Sequence, residues 1–381
     1  MFYLALLVLA FVLGVAAVLV VKGRDARDIA AVEIPGERRE WPLVSIIAPA
    51  RNEERNIEAA VRSLAAIDYA PLEITIINDR STDRTGEILD SLAAEYPQLN
   101  VVHLTELPPG WLGKNHALQY GADRSHGEWL LFTDADIVFE PSALRRAIVM
   151  AEADELDMLA AFPGIDMPSW MLESFVVTFG IFFVIFTRPW AVSNPRSSAH
   201  CGIGAFNLLR ASAYQKADGH RPLAMRPDDD LKLGKTMKLS GARCDIVDGR
   251  GMIRVPWYGS VRELIVGLEK NSFAAVEYSV TAVAAATIAI VVFNLLPFVA
   301  VFFVAGPTRW LFGAAALIQL ALAWRGARHL GLPSSVSFGY PVAVAMFIYI
   351  QWRAMALTLR QGGIKWRDTF YSLKELRANK V

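Results

Sequence analysis

The order of apolar and polar positions divides the chain into three kinds of segment. Residues 1–21 form an uncharged apolar run, long enough at 1.5 Å per residue to cross about 30 Å of hydrocarbon. It is read as a membrane anchor. Lys22, Arg24 and Arg27 follow the run instead of preceding it, the reverse of a cleaved signal peptide, and positive-inside places residue 22 onward in the cytosol. From Val44 to about Asp245, short β-branched runs alternate with amphipathic stretches, the pattern of an open α/β sheet. Strands are predicted at 44–48, 74–77, 101–104 and 129–132, and helices near 56–66, 85–95 and 115–124. After Asn271 the chain turns apolar again, with runs near 280–304, 308–324 and 339–358 that predict two or three membrane helices. Residues 175–186 are too few to span easily. Beside Trp170, Arg188 and Trp190 they read as an interfacial helix or, equally, a buried core helix.

Four regions follow: an anchor at 1–21, an α/β domain with interfacial helices at 42–275, membrane helices at 276–358 and a basic tail at 359–381. Topology poses a conflict. Three crossings after a cytosolic domain would carry Arg360, Lys365, Arg367, Lys374 and Arg377 to the other side, against positive-inside. Either one apolar segment is re-entrant or one fails to cross, the suspects being the first run, with Pro297, and the short third.

Composition agrees with a membrane setting, since 54% of the residues are hydrophobic against roughly 45–50% in soluble domains. The 38 basic and 38 acidic residues cancel, so nothing points to nucleic acid or another polyanion. Cys201 and Cys244 are the only two cysteines, too few for a disulfide framework and consistent with a reducing compartment.

Ligands of open α/β sheets bind beyond the carboxyl ends of the strands, so Arg51 to Glu54, Asn78-Asp79 and Asp134-Ala135-Asp136 should converge on one crevice. Asp134 and Asp136 flank a small residue directly after a strand, and in extended geometry both can face one side. Such a pair suits a hard divalent cation, Mg²⁺ or Mn²⁺, able to neutralise a departing diphosphate. Asp-x-Asp alone is a common accident; its place after a strand gives it weight. In Asp79 to Thr85, Ser81 or Asp83 reads as a helix cap and Asp79 as a nucleobase or ribose contact. Glu53 and Glu54 fit a helix N-terminus as well as a site. Asp228, Asp229 and Asp230 precede an apolar helix start and are either solvated capping acids or crowded carboxylates, one of them a base with a raised pKa. His103, His116 and His200 show no metal-ligand spacing and read as structural.

Residues 44–54, 78–85, Gly113-Lys114 and Asp134-Ala135-Asp136 together resemble glycosyltransferase family 2, over about residues 42–275. The resemblance implies a GT-A fold, a nucleotide-sugar donor such as a UDP-sugar, and inversion at the anomeric carbon. It places Ala48, Glu53, Asp79, Lys114 and Asp134 on the donor side, with Asp136 on the metal. Residues 201–220 resemble the family's acceptor-side strand and the helix after it. The family's Glu-Asp pair has Asp-Asp in its place here; alignment to Leu233-Gly234 makes Asp230 the base, Asp229 its neighbour and Asp228 an acceptor-side residue. Trp257 and Arg262 fall where the family places an amphipathic segment under the acceptor. The Gln-x-x-Arg-Trp signature of processive synthases is missing, which points to the addition of one sugar. The loop around Trp111 is most similar to hopanoid-associated and carotenoid-acid glycosyltransferases, implying a membrane lipid hydroxyl as acceptor. Polyprenyl phosphate is the competing acceptor, and a non-catalytic nucleotide-sugar-binding subunit the competing function. A nucleotidyltransferase would want a glycine-rich loop after the first strand, and residues 48–54 contain no glycine.

Overall fold

The computed structural model describes residues 1–23, 27–36 and 40–381; Arg24 of the expected basic flank lies outside them. The chain opens with α1 (Phe2–Lys22), which is apolar around its circumference. Then β1 (Val44–Ala50), α2 (Ile57–Ala65), β2 (Leu72–Asp79), α3 (Thr85–Glu95), β3 (Leu99–Leu104), α4 (Gly113–Ala122) and β4 (Trp129–Phe132) alternate as their periodicity predicts. Next come β5 (Val138–Phe139), α5 (Ala143–Ala153), β6 (Met158–Phe162), β7 (Gly164–Asp166) and α6 (Trp170–Thr187). They are followed by β8 (Asn207–Arg210), α7 (Ala211–Lys216), α8 (Asp229–Leu239), β9 (Cys244–Asp248) and β10 (Ile253–Pro256).

Seven strands form one mixed sheet in the order β3-β2-β1-β4-β8-β6-β9, with β8 antiparallel to both neighbours. β1 and β4 are buried along almost their whole length, as strands covered on both faces must be. Val44 lies opposite Leu72 on one side and Trp129 on the other, so the carboxyl ends of β1, β2 and β4 come out together. Strand order reverses between β1 and β4, where crevices form in such sheets.

Two compact units are present. The helical unit gathers α1, Met167–Phe186 and Trp257–Arg377, and the α/β unit takes the sheet together with Ala378–Val381. Within the expected 42–275 region, α9 (Val261–Ser272) groups with the helical unit. Arg27, expected as part of the basic flank, ion-pairs with Asp154 and Asp245 of the α/β unit.

The helical unit continues through α10 (Val280–Ile290), α11 (Leu296–Phe303), α12 (Pro307–His329) and α13 (Tyr340–Gln361). Among the described residues, five helical segments, 2–22, 170–191, 280–303, 307–329 and 334–361, are long and apolar enough to cross a membrane. Between α10 and α11 the chain makes a π-helical turn at Val291–Leu295. Pro297 has no N–H to offer the Phe293 carbonyl four residues back. The Gln319 amide of α12 donates to that carbonyl at 2.5 Å instead, a bond worth about 1 kcal/mol between membrane helices. The Tyr340 hydroxyl, at the start of α13, donates to Asn294 at 2.8 Å, while Trp352 further along donates to Thr287 at 2.8 Å and Arg353 pairs with Glu269 at 2.5 Å. So α13 starts level with the middle of the α10–α11 segment and runs back past its beginning. In the basic tail, β11 (Gly363–Trp366) pairs with β12 (Thr369–Ser372), and α14 (Leu373–Ala378) follows.

Candidate active site

The loops after β1 and β2 interlock through a ladder of side-chain bonds. The Asn52 N–H donates to Ser81 Oγ at 3.0 Å, Glu53 N–H to Thr85 Oγ1 at 2.8 Å, and Thr82 N–H to Asn52 Oδ1 at 2.8 Å. Asp83 accepts from the Thr85 N–H and hydroxyl at the first turn of α3. Burial opposes its charge, but those bonds outweigh it and hold the carboxyl below the usual range. Asp83 is therefore the helix cap expected of it. Glu54 serves the same end, accepting from the Arg84 N–H at 3.2 Å, whereas the Glu53 carboxylate acts on Asp136. The two glutamates therefore stand in different surroundings.

Thr133 closes β4 by donating its hydroxyl to the Ala205 carbonyl at 2.8 Å, and the chain then turns through Asp134 and Asp136. Asp136 titrates at about 7, raised first by burial and then by the carboxylates of Asp134 and Glu53. Lys114, two residues into α4, places Nζ 2.8 Å from Asp134 Oδ1 and 3.3 Å from Asp229 Oδ2. Burial disfavours its charge, yet Asp134, Asp229 and Asp230 prevail and hold the ammonium well above its ordinary pKa. A single cation thus ties the donor-side carboxylate to the acidic cluster of α8.

The three consecutive aspartates have three different environments. Asp228 is gripped by the buried Arg226 guanidinium in a two-point pair, both bonds 2.8 Å, which makes it a structural anchor. Asp229 is the partner of Lys114. Asp230 accepts from the Gly204 N–H at 3.0 Å and from the Leu231 N–H at 2.7 Å. Its pKa is raised by burial, with Lys114 and the Leu231 N–H pulling the other way and Asp134 adding to the rise. Glycines make this closeness possible. A Cβ on Gly204 would stand 2.6 Å from Asp134 Oδ2 and 3.4 Å from Asp230 Oδ2, and one on Gly202 would strike the Asp230 carbonyl. Lys114, Asp134, Gly204, Asn207, His220, Asp229 and Asp230 line one cavity.

Other predicted positions lie elsewhere. Ala48 is wholly buried in the core cluster, so its side chain cannot touch a donor. Asp79 is 2% exposed and its carboxylate is bound by Arg80 at 2.7 and 3.0 Å, with Arg51 3.6 Å away; a ligand would have to displace Arg80 to reach it. Trp257 and Arg262 belong to the helical unit, where Trp257 packs on Phe179 and Tyr258. His103 is held by Asn78 and Asp90, both at 2.9 Å.

Gly204 and His220 fall in the stretch read as acceptor-side, but neither has a role of its own legible in the sequence. The Gly204 amide was hidden because a backbone donor carries no side-chain signal, although Gly202-Ile203-Gly204 before a strand hints at a close approach. His220 is buried, its Nδ1 2.7 Å from the Tyr214 hydroxyl, and burial followed by Lys114 lowers its pKa to about 3, so the imidazole is neutral.

The cation fits by its donor set. Asp134, Asp136 and Glu53 offer hard oxygen ligands, and their crowding is the charge excess a divalent ion relieves. Among the described residues no three such side chains form a ready cage, so an ion there would take further oxygens from a bound ligand or water, as Mg²⁺ sites on phosphates do.

Comparison with known proteins finds several that are similar. The 4,4'-diaponeurosporenoate glycosyltransferase of Staphylococcus haemolyticus is 24% identical over 235 residues, 60% of this chain and 60% of that protein. The beta-monoglucosyldiacylglycerol synthase of Synechocystis is 37% identical over 110 residues, 28% of this chain and 22% of that protein. The chain thus spans less than two thirds of the length of these relatives. Among solved structures, a mannosyltransferase from Pyrobaculum calidifontis in complex with GDP-Man and Mn²⁺ superposes with a TM-score of 0.54 at 17% identity, covering 93% of this chain and 97% of that one, a likeness of fold. Residues 45–216 match the family model described as Glycosyl transferase family 2. Over those residues the chain is similar to glycosyl transferase family 2, and its sheet shares the fold of that mannosyltransferase.

Proposed function

We propose that this protein is an inverting glycosyltransferase that moves one sugar from a nucleoside diphosphate, a UDP-sugar by the sequence resemblance, to a hydroxyl group of a membrane lipid. The observation that carries the reading is the Lys114 bridge between Asp134 and Asp229, with Asp230 beside it. Charge of both signs is concentrated there, as a reaction that expels a diphosphate requires. When bound, Mg²⁺ or Mn²⁺ on Asp136 would neutralise the leaving diphosphate. Lys114 adds a fixed positive charge to the same end. Asp230 takes the proton of the acceptor hydroxyl as its oxygen attacks the anomeric carbon, the bond to the diphosphate breaks, and the nucleoside diphosphate leaves. Asp229 holds Lys114 in place and Asp228 holds Arg226, which leaves Asp230 as the base among the three.

A lipid acceptor suits a chain rich in long apolar helices, and two relatives are named for a carotenoid acid and a diacylglycerol. Connectivity supports a crossing count. The chain leaves the α/β unit at Asp166 and rejoins it at Thr187. Ala378–Val381 also belong to the α/β unit, so the crossings between α9 and the tail are even in number. α10–α11 and α12 supply two. The third run is the re-entrant one, because α13 starts at mid-depth beside Asn294 and returns. Lys22, Arg325, Arg328, Arg360, Lys365 and Arg377 then share one face of the membrane, which positive-inside makes cytosolic.

Binding of nucleotide and metal tests the donor half. UDP and GDP, each titrated into the full-length protein in detergent with Mn²⁺, should bind in at least one case, and EDTA should abolish that binding. Protons compete with the metal for Asp136, so affinity should rise as pH passes upward through about 7 and level off above it. Sign follows from linkage: a carboxyl raised in the folded state loses stability as pH climbs from its ordinary 3.8 to about 7, and Mn²⁺ should restore that loss. Binding indifferent to both EDTA and pH would remove Asp136 from the metal site.

A further inference from the structure

The segment that delivers the acidic cluster, Pro222 to Asp228, has almost no regular structure beyond the single turn Arg221–Leu223, yet its backbone is fixed from two directions. From α4, the fully buried Asn115 donates Nδ2 to the carbonyls of Leu223 at 2.6 Å and Arg226 at 2.9 Å, and the Leu112 N–H donates to Ala224 at 2.7 Å. From the far end of the chain, Asn379 accepts the Met225 N–H at 2.8 Å and donates Nδ2 to the Pro222 carbonyl at 2.8 Å. Arg226, the residue that grips Asp228, also donates to the Asn379 carbonyl at 3.4 Å, and the Lys235 ammonium of α8 donates to the Val381 carbonyl at 2.6 Å. One side-chain amide reading both an N–H and a C=O of an irregular segment replaces the pairing a strand would have supplied.

We propose that Asn379 is a positioning residue and that residues 379–381 form a strap which, opposite Asn115, sets the place of Asp229 and Asp230. This rests on the reading of that pair as the catalytic carboxylates. The consequence is that the place of the acidic cluster depends on residues 379–381, which lie more than 100 residues further along the chain. Donor binding and proton removal then depend on different parts of the chain: the loops after β1 and β4 hold the nucleotide side, and the strap governs where the base stands. Because small misplacements of a reacting group cost large factors in rate, loosening the strap should act on turnover more than on donor affinity.

The test uses full-length protein in detergent with Asn379→Ala. Hydrogen–deuterium exchange of the peptide covering 222–231 should quicken by about tenfold or more, while β1 and β4 keep their protection as internal controls of folding. Release of nucleoside diphosphate, from UDP-glucose or GDP-mannose, whichever the wild type consumes, should fall in kcat by about tenfold or more with the donor KM within about twofold. Asn379→Asp keeps the acceptor for Met225 and loses the donor to Pro222, and should fall between the two. Unchanged exchange at 222–231, or faster exchange with unchanged kcat, would overturn the proposal, as would exchange raised equally throughout the sheet. Should Asp230→Asn keep full turnover, or the wild type consume neither donor, the functional reading fails, and the exchange measurement still decides whether the strap exists.

Discussion

Asp230→Asn should lower turnover by about 10²- to 10⁴-fold, the range over which a positioned general base acts, or roughly 3–5 kcal/mol of barrier. Asparagine keeps the shape and can still accept from the Gly204 and Leu231 N–H groups, which bond Asp230 at 3.0 and 2.7 Å, so the fold and the donor affinity should survive. The pH profile separates this from a merely structural effect. Burial raises the Asp230 pKa, so wild-type turnover should climb with pH as that carboxyl loses its proton, and the variant should lack this limb. Steady-state rates across pH, with UDP affinity measured alongside, check both points. The neighbours give the contrast: Asp228→Asn should chiefly destabilise, because it leaves the buried Arg226 without its two-point partner, and a variant that melted normally while losing all turnover would put the base at 228 instead.

Lys114→Gln should be nearly as damaging by another route. It removes the cation 2.8 Å from Asp134 and 3.3 Å from Asp229, and taking a cation away from a buried carboxylate such as Asp229 is destabilising. Lys114 also lowers the pKa of both Asp136 and Asp230. Its loss should therefore push both upward, moving the rise of activity to higher pH and weakening Mn²⁺ binding at neutral pH. Thermal melting with and without Mn²⁺, plus a pH–rate profile, reads these effects. A variant with wild-type melting, metal affinity and pH profile would show that the bridge does nothing.

Much of this site was legible in the sequence because its parts sit at strand ends. The alternation from β1 to β4 predicted four strands within a few residues, and Asp134 and Asp136 follow the last of them. Helix placement was equally direct where a cap marks it, as Asp83 does before α3. What stayed hidden depended on partners distant in sequence. Nothing near Asp228 to Asp230 says that Arg226 takes the first, Lys114 the second and two backbone amides the third. Ala48 looked like a donor contact by its place in a motif, but both faces of β1 are covered and its methyl is core. Asp79 looked open at the end of β2, yet Arg80, at φ 55°, folds back over it. The crossing conflict was visible as misplaced charge, while the proposed re-entrant third run draws on contacts such as Tyr340 to Asn294 that the sequence does not show.

Glycolipid analysis tests the central claim most directly. Membrane lipids are extracted from cells producing the wild-type protein, cells producing Asp230→Asn and cells producing neither, and compared by mass spectrometry. Transfer to a lipid hydroxyl predicts a lipid heavier by one sugar residue in the first culture alone, with its unmodified parent depleted. An identical lipid profile in all three cultures would contradict it.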